Sequence, residues 1–198
     1  EDVVAFLNDY LQRMVSIVFE EGGIVDKFIG DSVMAVFGAP FPKPDDAIRA
    51  VRAATRMLTE LDKFNEDQAA KGGVHIRIGV GVHTGPVIAG NIGSDRKMEY
   101  TVIGDSVNIA SRVQDLTKEF GVPIIITQAC LDATRRRVPV RALPPVHVKG
   151  KEHALQVYQV LRTLPTHENT TIAGSLDSPT LPRAPAARRP LPPPMARA

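Results

Sequence analysis

Apolar residues recur at three- and four-residue steps through residues 3–21, at Val3, Leu7, Leu11, Met14 and Val18. That spacing lines one face of an amphipathic helix, which Gly22 and Gly23 end. Residues 24–37 read Ile-Val-Asp-Lys-Phe-Ile-Gly-Asp-Ser-Val-Met-Ala-Val-Phe. Two short apolar runs rich in β-branched residues meet there at Gly30-Asp31, a pattern that predicts a β-hairpin with a carboxylate at its tip. The prolines of residues 38–44 rule out a regular element, and Pro44 suits the first turn of the helix that follows. Asp45 and Asp46 would then occupy its positive end, with Ile48, Val51, Leu58 and Leu61 as its buried stripe. Strict alternation over residues 74–82 predicts a strand with one buried face. Residues 83–93 read as a turn and a short strand, 94–99 as a charged loop and 100–103 as a short strand. Val107, Ala110, Val113 and Leu116 return to helical spacing. A short buried strand over 123–126, a capped helical turn or two over 127–134, and two last strands within 138–148 and 155–161 complete the pattern.

Composition then bounds the picture. A chain of 198 residues can bury one good-sized core, which we assign to residues 1–162. Residues 163–198 change character, with Pro165, Pro179, Pro182, Pro185, Pro190 and Pro192 to Pro194 among Ser, Thr, Ala and Arg, and read as a disordered tail with polyproline character. The formal charge of +2 is carried largely by that tail, so nothing in the balance demands nucleic acid or an anionic membrane. Cys130 is the only cysteine, which excludes a disulfide framework and a cysteine-based zinc site and fits a reducing compartment. The five histidines form no His-Glu-x-x-His pattern. No apolar run reaches membrane-spanning length and no signal-peptide pattern opens the chain. It starts in mid-helix, which reads as a piece whose upstream part is missing.

Candidate chemistry begins with a repeat. Ile103-Gly104-Asp105-Ser106-Val107 matches Ile29-Gly30-Asp31-Ser32-Val33 letter for letter, yet one copy continues with period two and the other with helical spacing. Asp105 therefore reads as a helix N-cap, whereas Asp31 keeps an exposed oxygen of the kind a hard cation accepts, or serves as an ordinary solvated turn residue. Asn108 and Arg112 stand one helical turn apart on one face, an anion site or a solvated face. Lys149 and Lys151 lie in a basic turn. The glycines of residues 83–93 are no phosphate cradle, because no Gly-Lys-Ser/Thr follows them. An RNA-binding α/β sandwich is excluded by the lack of an exposed aromatic pair on central strands.

Asp26-Lys27-Phe28-Ile29-Gly30-Asp31-Ser32-Val33-Met34-Ala35-Val36-Phe37-Gly38 resembles the metal hairpin of the class III nucleotidyl cyclases, the adenylate and guanylate cyclases. Tyr100-Thr101-Val102-Ile103-Gly104-Asp105-Ser106-Val107-Asn108-Ile109-Ala110-Ser111-Arg112 resembles their transition-state helix. The resemblance extends over residues 1–161. It implies an α/β (α+β) fold of ferredoxin-like type, an antiparallel sheet with helices packed on it. It also implies attack of the ribose 3′ oxygen on the α-phosphorus of a nucleoside triphosphate, assisted by two Mg²⁺ or Mn²⁺ ions per site.

Carried over residue by residue, the resemblance makes Asp31 a metal ligand, Asn108 and Arg112 the groups that meet the ribose and reacting phosphate, and Lys149 a contact to the outer phosphates. Lys27 and Thr101 fall at the base-contacting positions. A lysine donor suits adenine N1 and a hydroxyl acceptor suits adenine N6, so ATP is the expected substrate and cyclic AMP the product. The resemblance further implies a head-to-tail homodimer with two equivalent sites, and use of ATP points to the cytoplasmic side of any larger protein. Guanylate cyclase activity, or a nucleotide-binding and dimerisation module without turnover, are the alternatives. One departure stands out, since the family's first strand, which carries a second metal aspartate, does not precede Glu1. The chain alone is therefore expected to be inactive.

Overall fold

The computed structural model describes residues 2–147 and 154–161. Its helices and strands alternate as α1 (Asp2–Glu20), β1 (Ile24–Ile29), β2 (Ser32–Val36), α2 (Asp46–Ala70), β3 (Val80–Val82), β4 (Ile88–Ser94), β5 (Lys97–Ile103), α3 (Asp105–Phe120), β6 (Ile124–Thr127), α4 (Gln128–Ala133), β7 (Val140–Ala142) and β8 (Val157–Val160). The expected tail at 163–198 and the basic turn with Lys149 and Lys151 lie outside the described residues.

Four strands form the central sheet in the order β3-β6-β8-β7. β3 and β6 run parallel, while β8 is antiparallel to both β6 and β7. Both faces of β6 are covered, which is why Ile124, Ile125 and Ile126 are all fully buried. On one side Val51, Ala54 and Leu58 of α2 pack with Ile124, Ile126, Cys130 and Leu131, and on the other Ile109 and Val113 of α3 pack with Ile125 and Val157. Burial of these two apolar clusters supplies the main driving force for the fold.

α3 sits unusually close to β3. A Cβ on Gly81 would come within 2.3 Å of the Gln114 backbone nitrogen and 2.7 Å of the Ala110 carbonyl oxygen, and one on Gly79 would meet Thr117 Oγ1 at 1.9 Å. The glycines interleaved in Ile78-Gly79-Val80-Gly81 are therefore the seat of the helix.

α1 packs across α2 through Phe64, whose ring meets Phe6 edge-on at 5.2 Å and carries the Arg13 guanidinium 5.2 Å above its face. The end of α1 is held by arginines of α2. Arg49 donates to the carbonyls of Glu21 (2.7 Å) and Gly22 (3.1 Å), and the buried Glu21 carboxylate accepts from Arg52 (2.6 Å) and Arg56 (3.0 Å). Cations at a helix C-terminus satisfy its last carbonyls and its dipole.

Several expectations are corrected. The strand expected over 74–82 hydrogen-bonds only at Val80–Val82, where β6 lies beside it. Before that the half-buried Ile76 is paired by a side chain instead, since Asn65 Nδ2 donates to its carbonyl and Asn65 Oδ1 accepts from its N–H, both at 2.9 Å. The charged loop expected over 94–99 is shorter, because β4 and β5 continue to a tight turn with Ser94 opposite Lys97. Pro44 precedes α2 without entering it, and Asp45 is the N-cap position. Asp105 is the first residue of α3 and not its cap, a position taken by Gly104 at φ 146° without a side-chain hydrogen bond.

The Asn65 clamp gives a test. Asn65→Ala leaves both polar groups of Ile76 without this partner and lowers the unfolding free energy by about 1–3 kcal/mol. Urea denaturation measures the loss, and faster hydrogen exchange at the Ile76 amide localises it.

Candidate active site

The Gly30-Asp31 turn is built as the sequence predicts, with Gly30 at φ 62° and Ile29 opposite Ser32. The hairpin is not regular along its length. Its register shifts between Val25 and Lys27, so that Val25 pairs with Ala35 but Lys27 with Met34, and Asp26 is the extra residue of a β-bulge.

That bulge directs the Asp26 side chain inward, to 3% exposure, while the adjacent Lys27 stays 39% exposed. Thr101 Oγ1 on β5 donates to Asp26 Oδ2 at 2.9 Å, and Lys27 Nζ lies 3.3 Å from the same oxygen. Lys27 and Thr101, far apart in sequence, are thus brought together, and Asp26 is the group that joins them. Sequence reasoning passed over Asp26. The available signal was an acidic residue beside a lysine inside an otherwise apolar run, but the bulge that turns it inward cannot be read from the alternation.

Thr101, Asn108 and Arg112 occupy one continuous segment, because β5 passes through Gly104 directly into α3. Ser106 Oγ donates to the Pro86 carbonyl at 2.8 Å and ties the first turn of α3 to the segment before β4. Asn108 is exposed and Arg112 half-buried. His83 Nδ1 lies 2.9 Å from the buried Thr127 hydroxyl.

Asp31 is exposed at the hairpin tip. The Tyr10 phenol on α1 has its pKa raised first by burial and then by the Asp31 charge, so the carboxylate is within electrostatic reach of α1. Among the described residues no group of three or more His, Cys, Asp and Glu gathers as a metal cluster. A single accessible carboxylate still fits a magnesium-type ion, which binds through one or two carboxylates plus substrate phosphates. A cavity of about 180 Å³ lined by Pro44, Asp45, Ile48, Ala133, Thr134, Arg135 and Arg137 includes none of these residues and is not the candidate site.

Both hairpins expose apolar side chains against the usual burial preference. Phe28 and Ile29 are 53% and 61% exposed on the first, and Ile88, Met98, Tyr100 and Ile103 are exposed on the second.

Residues 1–162 match the family described as the adenylate and guanylate cyclase catalytic domain. The chain belongs to that family. It is 39% identical over 171 residues to an adenylate cyclase of Anabaena cylindrica, covering 80% of this chain and 32% of that protein. The chain spans between 8% and 32% of the lengths of the first three curated adenylate cyclases it matches. Among solved structures, the adenylyl cyclase CyaB from P. aeruginosa superimposes with a TM-score of 0.75 at 32% identity, covering 81% of this chain and 83% of that one. The guanylyl cyclase Cya2 is equally similar, with a TM-score of 0.74 at 33% identity over 81% and 80% of the two chains. The expected cyclase-type α/β fold is therefore established, whereas likeness alone does not separate the two nucleotides. Among the described residues no helix is long and apolar enough to cross a membrane.

The electrostatic contact between α1 and the hairpin tip is testable. A phenol with a raised pKa stabilises the fold below the ordinary tyrosine range, and that contribution is lost as pH climbs through the folded value. Asp31→Asn brings the Tyr10 titration down toward the ordinary range without reaching it, because burial is the larger cause. Tyrosinate absorbance, with Tyr10→Phe as the reference, measures the shift.

Proposed function

We propose that this domain is an adenylate cyclase, converting ATP to 3′,5′-cyclic AMP and pyrophosphate at the interface of a head-to-tail homodimer. The observation that carries the reading is the junction of Lys27 and Thr101 on Asp26, which places an ammonium donor and a hydroxyl side by side. Adenine offers an acceptor at N1 and a donor at N6, and Lys27 and Thr101 complement that edge. Relatives named adenylate cyclase support it.

In this mechanism Lys27 and Thr101 orient the base, while Asn108 and Arg112 hold the ribose and the α-phosphate through fixed donors. Lys149, outside the described residues, meets the outer phosphates. The 3′ oxygen gives its proton to solvent water and bonds to the α-phosphorus as the bond to the pyrophosphate oxygen breaks. Donors fixed before the reaction stabilise the charge that develops at the phosphorus without reorganising, and positioning supplies much of the remaining rate. Asp31 and phosphate oxygens would hold Mg²⁺ or Mn²⁺, whose contribution when bound is to neutralise charge on the phosphates. The second expected ion requires a further carboxylate beside Asp31.

The exposed apolar residues of the two hairpins suit association with a second copy. Each copy then supplies Asp31 to one site and Lys27, Thr101, Asn108 and Arg112 to the other, and activity falls on dilution.

The test is cyclic AMP formation from ATP with Mg²⁺ or Mn²⁺ by the full natural chain. Arg112→Ala is expected to lower kcat by about 10²–10³, and Asp31→Ala to remove turnover. Lys27→Glu moves preference toward GTP. Faster turnover of GTP by the unaltered chain makes it a guanylate cyclase, and no cyclic product from an intact dimer favours a nucleotide-binding module.

A further inference from the structure

We propose that Asp26 sets the base preference of the site by holding the hydroxyl proton of Thr101. The inference rests on the reading of Lys27 and Thr101 as base contacts, and it assigns a positioning residue that does not itself touch the nucleotide. A threonine hydroxyl has one proton and two lone pairs, and as a rotor it can present either to a ligand. Here the choice is made by the protein. An ion-paired carboxylate accepts and cannot donate, so the proton between Thr101 Oγ1 and Asp26 Oδ2, 2.9 Å apart, belongs to Thr101 and points at Asp26. Only the lone pairs of Thr101 remain for a base.

The Lys27 ammonium lies 3.3 Å from the same oxygen as its ion-pair partner and retains N–H groups for an acceptor. Lys27 is a donor whatever its neighbour, and Asp26 makes Thr101 the acceptor beside it. Adenine N1 and N6 satisfy both. A guanine in the same position turns its N1–H toward the lysine and its O6 toward the threonine lone pairs, so both contacts fail. Without Asp26 the hydroxyl can rotate and donate to O6, and one of the two failures disappears. At 3% side-chain exposure Asp26 is shielded from water that would otherwise compete for the threonine proton.

Asp26→Asn preserves shape but places an amide beside Thr101 that can donate to its oxygen and release the proton. The preference for adenine over guanine is expected to fall by roughly three- to tenfold, the worth of about one hydrogen bond. Preference is read in the full natural chain as the ratio of kcat/KM for ATP and GTP. It is read also as the ratio of dissociation constants for 3′-deoxy-ATP and 3′-deoxy-GTP, which lack the attacking hydroxyl and report binding even without turnover. Thermal melting confirms that each variant is folded, and Asp26→Ala serves as a second variant.

The decisive comparison adds Thr101→Val. If Asp26 acts through the threonine proton, Asp26→Asn changes the ratio in the parent and leaves it unchanged, within about twofold, in the Thr101→Val background. An adenine-preferring parent whose ratio is unmoved by Asp26→Asn overturns the proposal. So does an equal change in both backgrounds, which marks a packing effect. Failure of the underlying reading looks different, with Lys27→Glu and Thr101→Val both leaving the ratio as it was.

Discussion

The close approach of α3 to β3 is the constraint on which the rest depends. Gly81 has no room for a Cβ against the backbone of Ala110 and Gln114, so the helix can lie at this depth only because the strand has no side chain there. From that seat Ile109 and Val113 reach Ile125 and Val157 and close one face of the sheet. The same seat sets the position of Asn108 and Arg112, whose helix cannot shift without meeting the strand. One contact thus fixes both the packing of this face and the placement of the two residues proposed to meet the nucleotide, since close-packed interiors do not deform continuously.

A second constraint ties the hairpins together. β1–β2 and β4–β5 are separate two-stranded sheets, not extensions of the central one. Their side-chain link runs through a buried carboxylate, Asp26, shared by Thr101 and Lys27. A buried charge is tolerated only when it is paired and hydrogen-bonded, and here the two partners are the residues assigned to the base. Removing either partner therefore disturbs the other, which would couple the support of this region to the proposed recognition of the base.

Most elements were legible because burial imposes period: the stripe Val51, Leu58 and Leu61 in α2 and the fully buried run of β6 are where the pattern put them. The misses occur where pairing depends on long-range neighbours. Alternation through Ile76 and Ile78 predicts a strand, but a strand needs a partner, and β6 supplies one only from Val80 onward while an asparagine side chain serves Ile76. Asp105 resembled a cap because capping residues favour that sequence position, yet Gly104 turns the backbone one residue earlier. In the candidate site, Lys27, Thr101, Asp31, Asn108 and Arg112 were nameable from two motifs. Asp26 was not, because a bulge adds one residue to one strand and reverses which side chain faces inward without leaving a mark in the composition.

The proposed division of the site between two copies is supported by exposed apolar surface. The hairpins carry apolar side chains into solvent at Phe28, Ile29, Ile88 and Met98, surface that a monomer gains nothing by exposing. In the proposed head-to-tail pairing, covering that surface would also bring the metal-binding and base-binding halves face to face, and the free energy of association would go into assembling the site. In the proposed dimer a change in the mutual orientation of the copies would change the distance between Asp31 of one and Arg112 of the other, and positioning is the largest demand that the proposed chemistry makes of the protein.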